Sequence, residues 1–311
     1  MIVVFGSINL DLVAHVARLP RPGETLAGES FAVHPGGKGA NQALATRRAG
    51  ADVALVGTVG DDPFATAALR HLDESAMDLT HVRRVDAPTG VALIHVDSRG
   101  ENSITVVAGA NARADPASVP DSLLSSGTTL LMQLEVSFPA IEALALRARA
   151  RGARVILNAA PYRALPLSLF ALIDVFVVNE IEAASMAAFL GAAPAPESFA
   201  TEFSRRFGCA TVVTMGAAGA LAAVGKTLFR APAPVLHVVD TTGAGDAFTG
   251  VLAATFHSGM PWNRVLAASV AAGSLACTAA GAQAALPDRD TINALASTVE
   301  LSLVHNSIEP P

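Results

Sequence analysis

With 311 residues the chain is long enough for one large α/β domain or two small ones, and far too long to need disulfides for a core. Apolar residues make up 51% and charged residues only 15%, against a usual charged share of about 25%, which excludes a disordered or highly solvated chain. The net charge is −6 and basic residues cluster no further than pairs such as Arg47-Arg48, Arg83-Arg84 and Arg205-Arg206, so nucleic acid is not expected as the main partner.

The chain opens on an apolar strand, Ile2 to Phe5. Met1 to Gly6 has no basic leader and Asp11 follows closely, so neither a signal nor a transit peptide is expected and the expected compartment is the cytoplasm. From Asp11 to Pro35 the sequence alternates like exposed strands about the turn Leu19-Pro20-Arg21-Pro22-Gly23. A helix over Gly39 to Ala49 follows, stopped by Gly50, then a strand over Val53 to Gly57 and a helix over Phe64 to Glu74. Thr89 to Asp97 and Asn102 to Val107 again alternate, about the turn Ser98 to Glu101. Beyond them come strands over Leu130 to Gln133 and Val155 to Asn158, separated by a helix over Pro139 to Arg151 that Gly152 ends. Val175 to Val178 and Thr211 to Met215 read as strands and Ile181 to Leu190 as a helix. Ala220 to Val224 and Thr227 to Arg230 form a hairpin, Val235 to Val239 is extended, and a long helix starts near Gly243.

Strands apolar on both faces, alternating with helices, predict a parallel sheet covered by helices. The two exposed alternating stretches, approximately 11–36 and 89–108, predict a small inserted β-sheet that serves as a lid or a dimer surface. No linker, low-complexity tract or repeat divides the chain, so a single domain over 1–311 is expected. The uncharged run Val265 to Leu286 is long enough to span a bilayer, at about 20 residues, but Ala, Ser, Gly and Thr dominate it, and a buried helix is expected. Cys209 and Cys277 lack any CxxC or Cys/His spacing and read as buried free thiols.

Two glycine-rich segments carry the chemistry. In Asp240-Thr241-Thr242-Gly243-Ala244-Gly245-Asp246, the glycines let backbone N–H groups turn outward at a helix start, where partial positive charge favours an anion. A lone Asp at a helix start is as readily a cap. Asp246 beside such a nest is also what a kinase needs to take a proton from an attacking hydroxyl. In Gly36-Gly37-Lys38-Gly39-Ala40-Asn41-Gln42-Ala43, the glycines admit a small ligand to the backbone and Lys38 and Asn41 offer a charge and an amide, although a Gly-rich turn into a helix needs no ligand. Val224-Gly225-Lys226-Thr227 only mimics a phosphate loop, because Ala220 stands where that motif needs glycine. Asn9, Asp11, Glu135, Asn179 and Glu182 fall near strand ends, where a parallel sheet forms its ligand crevice. Each alone reads as a cap or turn residue. The eight His show no metal spacing, and no Ser/His/Asp or Cys/His constellation is apparent.

Together these motifs resemble the ribokinase family of sugar kinases, the phosphofructokinase-B group. The resemblance spans nearly the whole chain, from Gly6-Ser7-Ile8-Asn9-Leu10-Asp11 through Pro22-Gly23-Glu24-Thr25, Gly36 to Ala43, Thr89 to Ile94, Gly109-Ala110-Asn111, Met132 to Glu135 and Asn179-Glu180-Ile181-Glu182 to Gly243 to Asp246. The Gly-Gly-Lys-Gly-Ala-Asn-Gln run and Gly100-Glu101-Asn102 set it nearer the ribose-phosphorylating branch than the adenosine or fructose kinases. It implies a doubly wound, mostly parallel sheet flanked by helices, with a small β-lid that makes a homodimer contact. The implied activity is ATP-dependent phosphorylation of the 5-hydroxyl of a ribose-like sugar, with another pentose, deoxyribose, a nucleoside, or sugar binding without turnover as alternatives.

By the same resemblance, Asn9, Asp11, Gly37, Lys38, Asn41 and Glu135 hold the sugar, Asp246 is the base and the backbone of Gly243, Ala244, Gly245 and Asp246 is the anion hole. Asn179, Thr214, Gly216, Ala217, Gly219 and Gly245 bind ATP, and Glu182 organises water around Mg²⁺. A monovalent cation such as K⁺ falls to Asp240, Thr242, Ala276, Ala279, Gly281 and Ala285. Ala285 stands where the family usually has a hydroxyl, and Ala217-Ala218 lacks the family's frequent basic residue, so weaker cation and phosphate contacts are expected.

Overall fold

In the computed structural model, residues 1–305 are described; residues 306–311 of the expected domain lie outside them. The chain begins with β1 (Ile2–Phe5), β2 (Asn9–Val16), β3 (Gly28–Gly36), α1 (Lys38–Arg48), β4 (Val53–Gly60) and α2 (Pro63–Glu74). It continues through β5 (Val82–Val85), β6 (Gly90–Asp97), β7 (Asn102–Val107), β8 (Thr129–Gln133), α3 (Phe138–Ala150) and β9 (Arg154–Asn158). Next come α4 (Leu167–Phe170), β10 (Val175–Asn179), α5 (Glu180–Leu190), α6 (Pro196–Phe207), β11 (Ala210–Thr214), β12 (Ala220–Val224) and β13 (Thr227–Ala231). The described chain closes with α7 (Ala244–His257), α8 (Trp262–Ala276), α9 (Arg289–Ala296) and β14 (Ser302–His305).

The main sheet has ten strands in the order β14-β13-β12-β11-β10-β9-β8-β1-β4-β5. It is parallel from β5 to β11 and antiparallel from β11 to β14. Because strand side chains alternate, β1 sends Ile2 and Val4 into a core shared with α1, α7 and α8, and Val3 and Phe5 into a core shared with α3, α5 and α6. A sheet buried on both faces explains the continuous apolar strands. Phe176 and Phe203 stack at 4.5 Å in the second core, and Phe170 meets Phe176 edge-on at 5.5 Å.

The expected lid is a separate sheet of order β3-β2-β6-β7, parallel only between β2 and β6. It includes Asn9 and Asp11, which lie within β2 rather than in a turn after β1. Val235 to Val239, expected to be extended, joins neither sheet among the described residues; Val235 is fully exposed and Val239 N–H donates to Cys277 O at 2.8 Å. The uncharged run from Val265 divides into most of α8 and a following turn; among the described residues no helix is long and apolar enough to cross a membrane. Cys209 is buried as expected, whereas Cys277 at the end of α8 is partly exposed because it borders a cavity. The mock phosphate loop is the two-residue turn between β12 and β13, with Val224 opposite Thr227.

Candidate active site

The site lies where the carboxyl ends of the parallel strands meet the amino ends of α1 and α7. After β1 the chain turns through Gly6 and Ser7 into the lid, and returns along β3 to Gly37, the N-cap of α1. Gly37 has φ +89°, and a Cβ on it would stand 2.7 Å from Asn9 N; one on Gly39 would stand 2.6 Å from the carbonyl carbon of Gly6. The glycines were expected to admit a ligand. They chiefly let two chain segments press together, which sets the start of α1, with Lys38 and Asn41, beside Asn9 in β2.

Glu135 ties this corner. Its Oε2 accepts from Ser7 Oγ at 2.5 Å and from Lys38 N–H at 3.0 Å. Asn111 Nδ2 donates to Asn9 Oδ1 at 2.7 Å, which orients the Asn9 amide. The Lys38 ammonium resists the lowering effect of burial: Asp246, Glu135, Glu182 and Asp11 surround it and hold it above its ordinary value. Asp11 is pushed up to about 7, first by burial, then by Glu135 and Asp246, against the pull of Lys38.

α7 starts at Gly243, whose φ of +78° and contact with Ala282 exclude a side chain. Ala244 N–H is taken by Thr241 O at 3.2 Å, so among the described residues the N–H groups of this turn without a partner are those of Gly243, Gly245 and Asp246. Gly245 faces open space. Asp246, in the first turn and 7% exposed, accepts from Asn41 Nδ2 and Gln42 Nε2, each at 2.9 Å. It is therefore not the helix cap. Its carboxylate is held by α1 between the corner of Asn9, Asp11, Lys38 and Glu135 and the turn at Gly243 to Gly245.

On the other side of Gly245 opens a cavity of about 410 Å³. Thr214, Gly216, Ala217, Gly219 and Gly245, five of the six expected nucleotide residues, line it, along with Phe248, Gly273 and Cys277. Asn179 does not line it. Asn179 and Glu182 form a capping box at α5: Asn179 Oδ1 accepts from Glu182 N–H at 2.8 Å, and Glu182 Oε2 accepts from Asn179 N–H at 2.9 Å. Burial raises Glu182, although Asn179 N–H and Lys38 oppose this. The loop assigned to a monovalent cation is drawn together by Asp240, whose Oδ1 accepts from Thr242 N–H and Oγ1 and whose Oδ2 accepts from Gly281 N–H at 2.9 Å. Burial works against the Asp240 charge, but these donors and His34 hold its carboxyl below the ordinary range.

The profile of the pfkB family carbohydrate kinases matches residues 1–289. The chain belongs to this family. The kinase is 34% identical over 295 residues to the ribokinase of Haemophilus influenzae, covering 93% of this chain and 95% of that protein. It superimposes on the ribokinase of Thermotoga maritima with a TM-score of 0.87 at 30% identity, over 96% of this chain and 99% of that one. With Arabidopsis thaliana ribokinase complexed with ribose and ATP, the TM-score is 0.85 at 30% identity, over 95% and 98% of the two chains.

The kinase also places at its site residues to which sequence reasoning gave no role: Ser7, Gln42, Asn111, Gln133, Asn158 and Gln283. Gln133 and Asn158 end apolar strands, and a polar residue closing such a strand is the signal that would have found them.

Proposed function

We propose that this cytoplasmic kinase transfers the γ-phosphoryl group of ATP to the 5-hydroxyl of D-ribose, giving D-ribose 5-phosphate and ADP. The observation that carries this reading is the Asp246 carboxylate, fixed at the first turn of α7 between the polar corner of Asn9, Asp11, Lys38 and Glu135 and a cavity of about 410 Å³. Asn9, Asp11, Gly37, Lys38, Asn41 and Glu135 take the sugar hydroxyls. Asp246 accepts the proton of the sugar 5-hydroxyl, and the hydroxyl oxygen attacks the γ-phosphorus in line with the departing ADP oxygen. The turn Gly243 to Asp246 neutralises the charge on the transferred group, Ala244 by the helix terminus and the other three by free N–H groups.

Mg²⁺ suits a water-mediated contact here, since it dehydrates reluctantly and Glu182 keeps Oε1 beside its capping bond. Bound with ATP, it would supply charge neutralisation to the phosphates. Asp240, Thr242, Ala276, Ala279, Gly281 and Ala285 suit a monovalent cation, whose ligands would be one carboxylate and main-chain oxygens. Ala285 contributes no hydroxyl, so K⁺ activation is weak. The lid makes a homodimer.

The test is ADP release over a panel of ribose, deoxyribose, other pentoses and nucleosides, in K⁺ and in a bulky organic cation. Ribose is expected to give the highest kcat/KM, with a modest K⁺ effect, and Asp246→Asn to lower the rate by about 10²–10⁴. Another best acceptor would reassign the substrate, and sugar binding without ADP release would make the protein a sugar binder.

A further inference from the structure

Behind Asp246, a chain of buried side-chain amides converges on its carboxylate. Gln42 Nε2 donates to Asp246 Oδ1 at 2.9 Å and to Asn158 Oδ1 at 3.0 Å, while Gln42 Oε1 accepts from Gln133 Nε2 at 2.8 Å. On the other oxygen, Asn41 Nδ2 donates to Asp246 Oδ2 at 2.9 Å and Asn41 Oδ1 accepts from Gln283 Nε2 at 3.0 Å. Gln42, Gln133 and Gln283 are all at most 1% exposed, so no ligand reaches them.

The orientation of Gln42 has one solution. The Asn158 amide nitrogen is given to Val177 O at 3.2 Å, so a flipped Gln42 would set its oxygen against two acceptors, Asn158 Oδ1 and the carboxylate. The arrangement also carries a cost that packing does not explain. Among the described residues, Gln133 Oε1 and Gln283 Oε1 are buried without a hydrogen-bond partner, a state that apolar side chains of similar size would avoid. What the two glutamines do provide is a fixed partner for Gln42 and for Asn41.

We infer that Gln42 is a positioning residue for phosphoryl transfer: backed by Gln133, it fixes the plane of the Asp246 carboxylate so that its remaining lone pairs face the sugar hydroxyl. Gln283 does the same for the other oxygen through Asn41. The inference rests on Asp246 being the proton acceptor. It adds that the reaction depends on side chains that touch neither sugar nor nucleotide, because a hydroxyl proton is transferred efficiently only along a well-aligned bond.

The test compares single-turnover phosphoryl transfer with the equilibrium Kd for ribose in Gln42→Leu, Gln42→Glu, Gln133→Met and Asp246→Asn. Gln42→Leu is expected to slow transfer at least about 30-fold with the ribose Kd within about threefold of wild type, since misalignment affects the reaction and not ground-state binding. Gln42→Glu has a distinct signature. Protonated, it donates to Oδ1 as the amide does; ionised, it repels the carboxylate, so its rate relative to wild type rises as the pH falls from about 8 to about 6. Asp11, Lys38, Glu135, Glu182 and Asp246 itself are the titratable groups sharing this corner, and they are present in both proteins, so the ratio isolates position 42.

If Gln42→Leu does not fold, Gln133→Met, one bond further out, carries the test with an expected loss of at least about threefold at unchanged Kd. Wild-type transfer in the folded variant overturns the inference, as does an equal loss of rate and ribose affinity with no pH-dependent recovery in Gln42→Glu. Asp246→Asn separates the two readings. If it turns over normally, the proton-acceptor assignment fails; if it is inactive while Gln42→Leu is normal, only the positioning role fails.

Discussion

Asp11 shows how one carboxyl group senses the whole site. Its ordinary value is 3.8, and in the fold burial and the neighbouring Glu135 and Asp246 push it up to about 7. The folded state therefore holds a proton that the unfolded chain releases. Its stability contribution is unchanged below about pH 4, falls as the pH rises toward about 7, and stays at its least favourable above that. In the sugar-free protein, Asp11→Asn is thus expected to raise the melting temperature relative to wild type near pH 8, by about 2–4 kcal/mol in stability, with little difference near pH 4. Thermal unfolding of both proteins across that range checks it, and a difference independent of pH would disprove it. Lys38 and Asp246 were legible from sequence because they sit in glycine-rich helix entries, and Asp11 and Glu135 because they follow apolar strands. Gln42 was not, because on a helix it reads as solvent-facing, and only the approach of α7 to α1 makes it a buried donor.

At the scale of elements, the entry into α1 depends on close backbone contact. Replacing Gly39 by Ala would set a methyl 2.6 Å from the Gly6 carbonyl carbon and Ser7 N, neither of which can move without disturbing β1 or the lid hinge. Gly39→Ala is expected to cost at least about 2 kcal/mol, seen as a melting temperature lower by about 5 °C or more. An unchanged melting temperature would show that the turn yields. The position of the glycine run before a helix was readable from its letters; its closest neighbour was not, because Gly6 and Gly39 are far apart in sequence. Asn179 and Glu182 differ: they join in a capping box, a local contact. Their spacing of three residues carried that signal in the sequence.

Across the whole molecule, the lid leaves apolar side chains exposed on both its faces. Phe31, Val33 and Leu93 share one face, since Leu12 lies opposite both Val33 and Leu93; Ile104 and Val106 share the other with Asp11. Phe31 is 66% exposed. A continuous apolar face on a small sheet fits a second copy of the chain. Sedimentation at micromolar concentration is expected to give the mass of two chains for wild type and of one for Phe31→Glu combined with Leu93→Glu. A wild-type monomer would remove the lid from the assembly.

The sequence by itself determined the alternation of strands and helices, the lid strands, the glycine turns and the charged residues of the site, because each follows from local periodicity, backbone freedom or scarcity of charge. The extended Val235 to Val239 segment shows the limit of such signals: its β-branched letters suit a strand, yet among the described residues it pairs with neither sheet. Only the tertiary structure decided which letters meet. It packed Gly37 and Gly39 against the turn after β1, placed Ala244 and Gly245 at the mouth of the 410 Å³ cavity, and brought Asn41, Gln42, Gln133, Asn158 and Gln283 around Asp246. The low charge content that first marked the chain leaves most of its interior to apolar contacts, so the few buried polar groups must find one another, and those partners come from distant parts of the sequence.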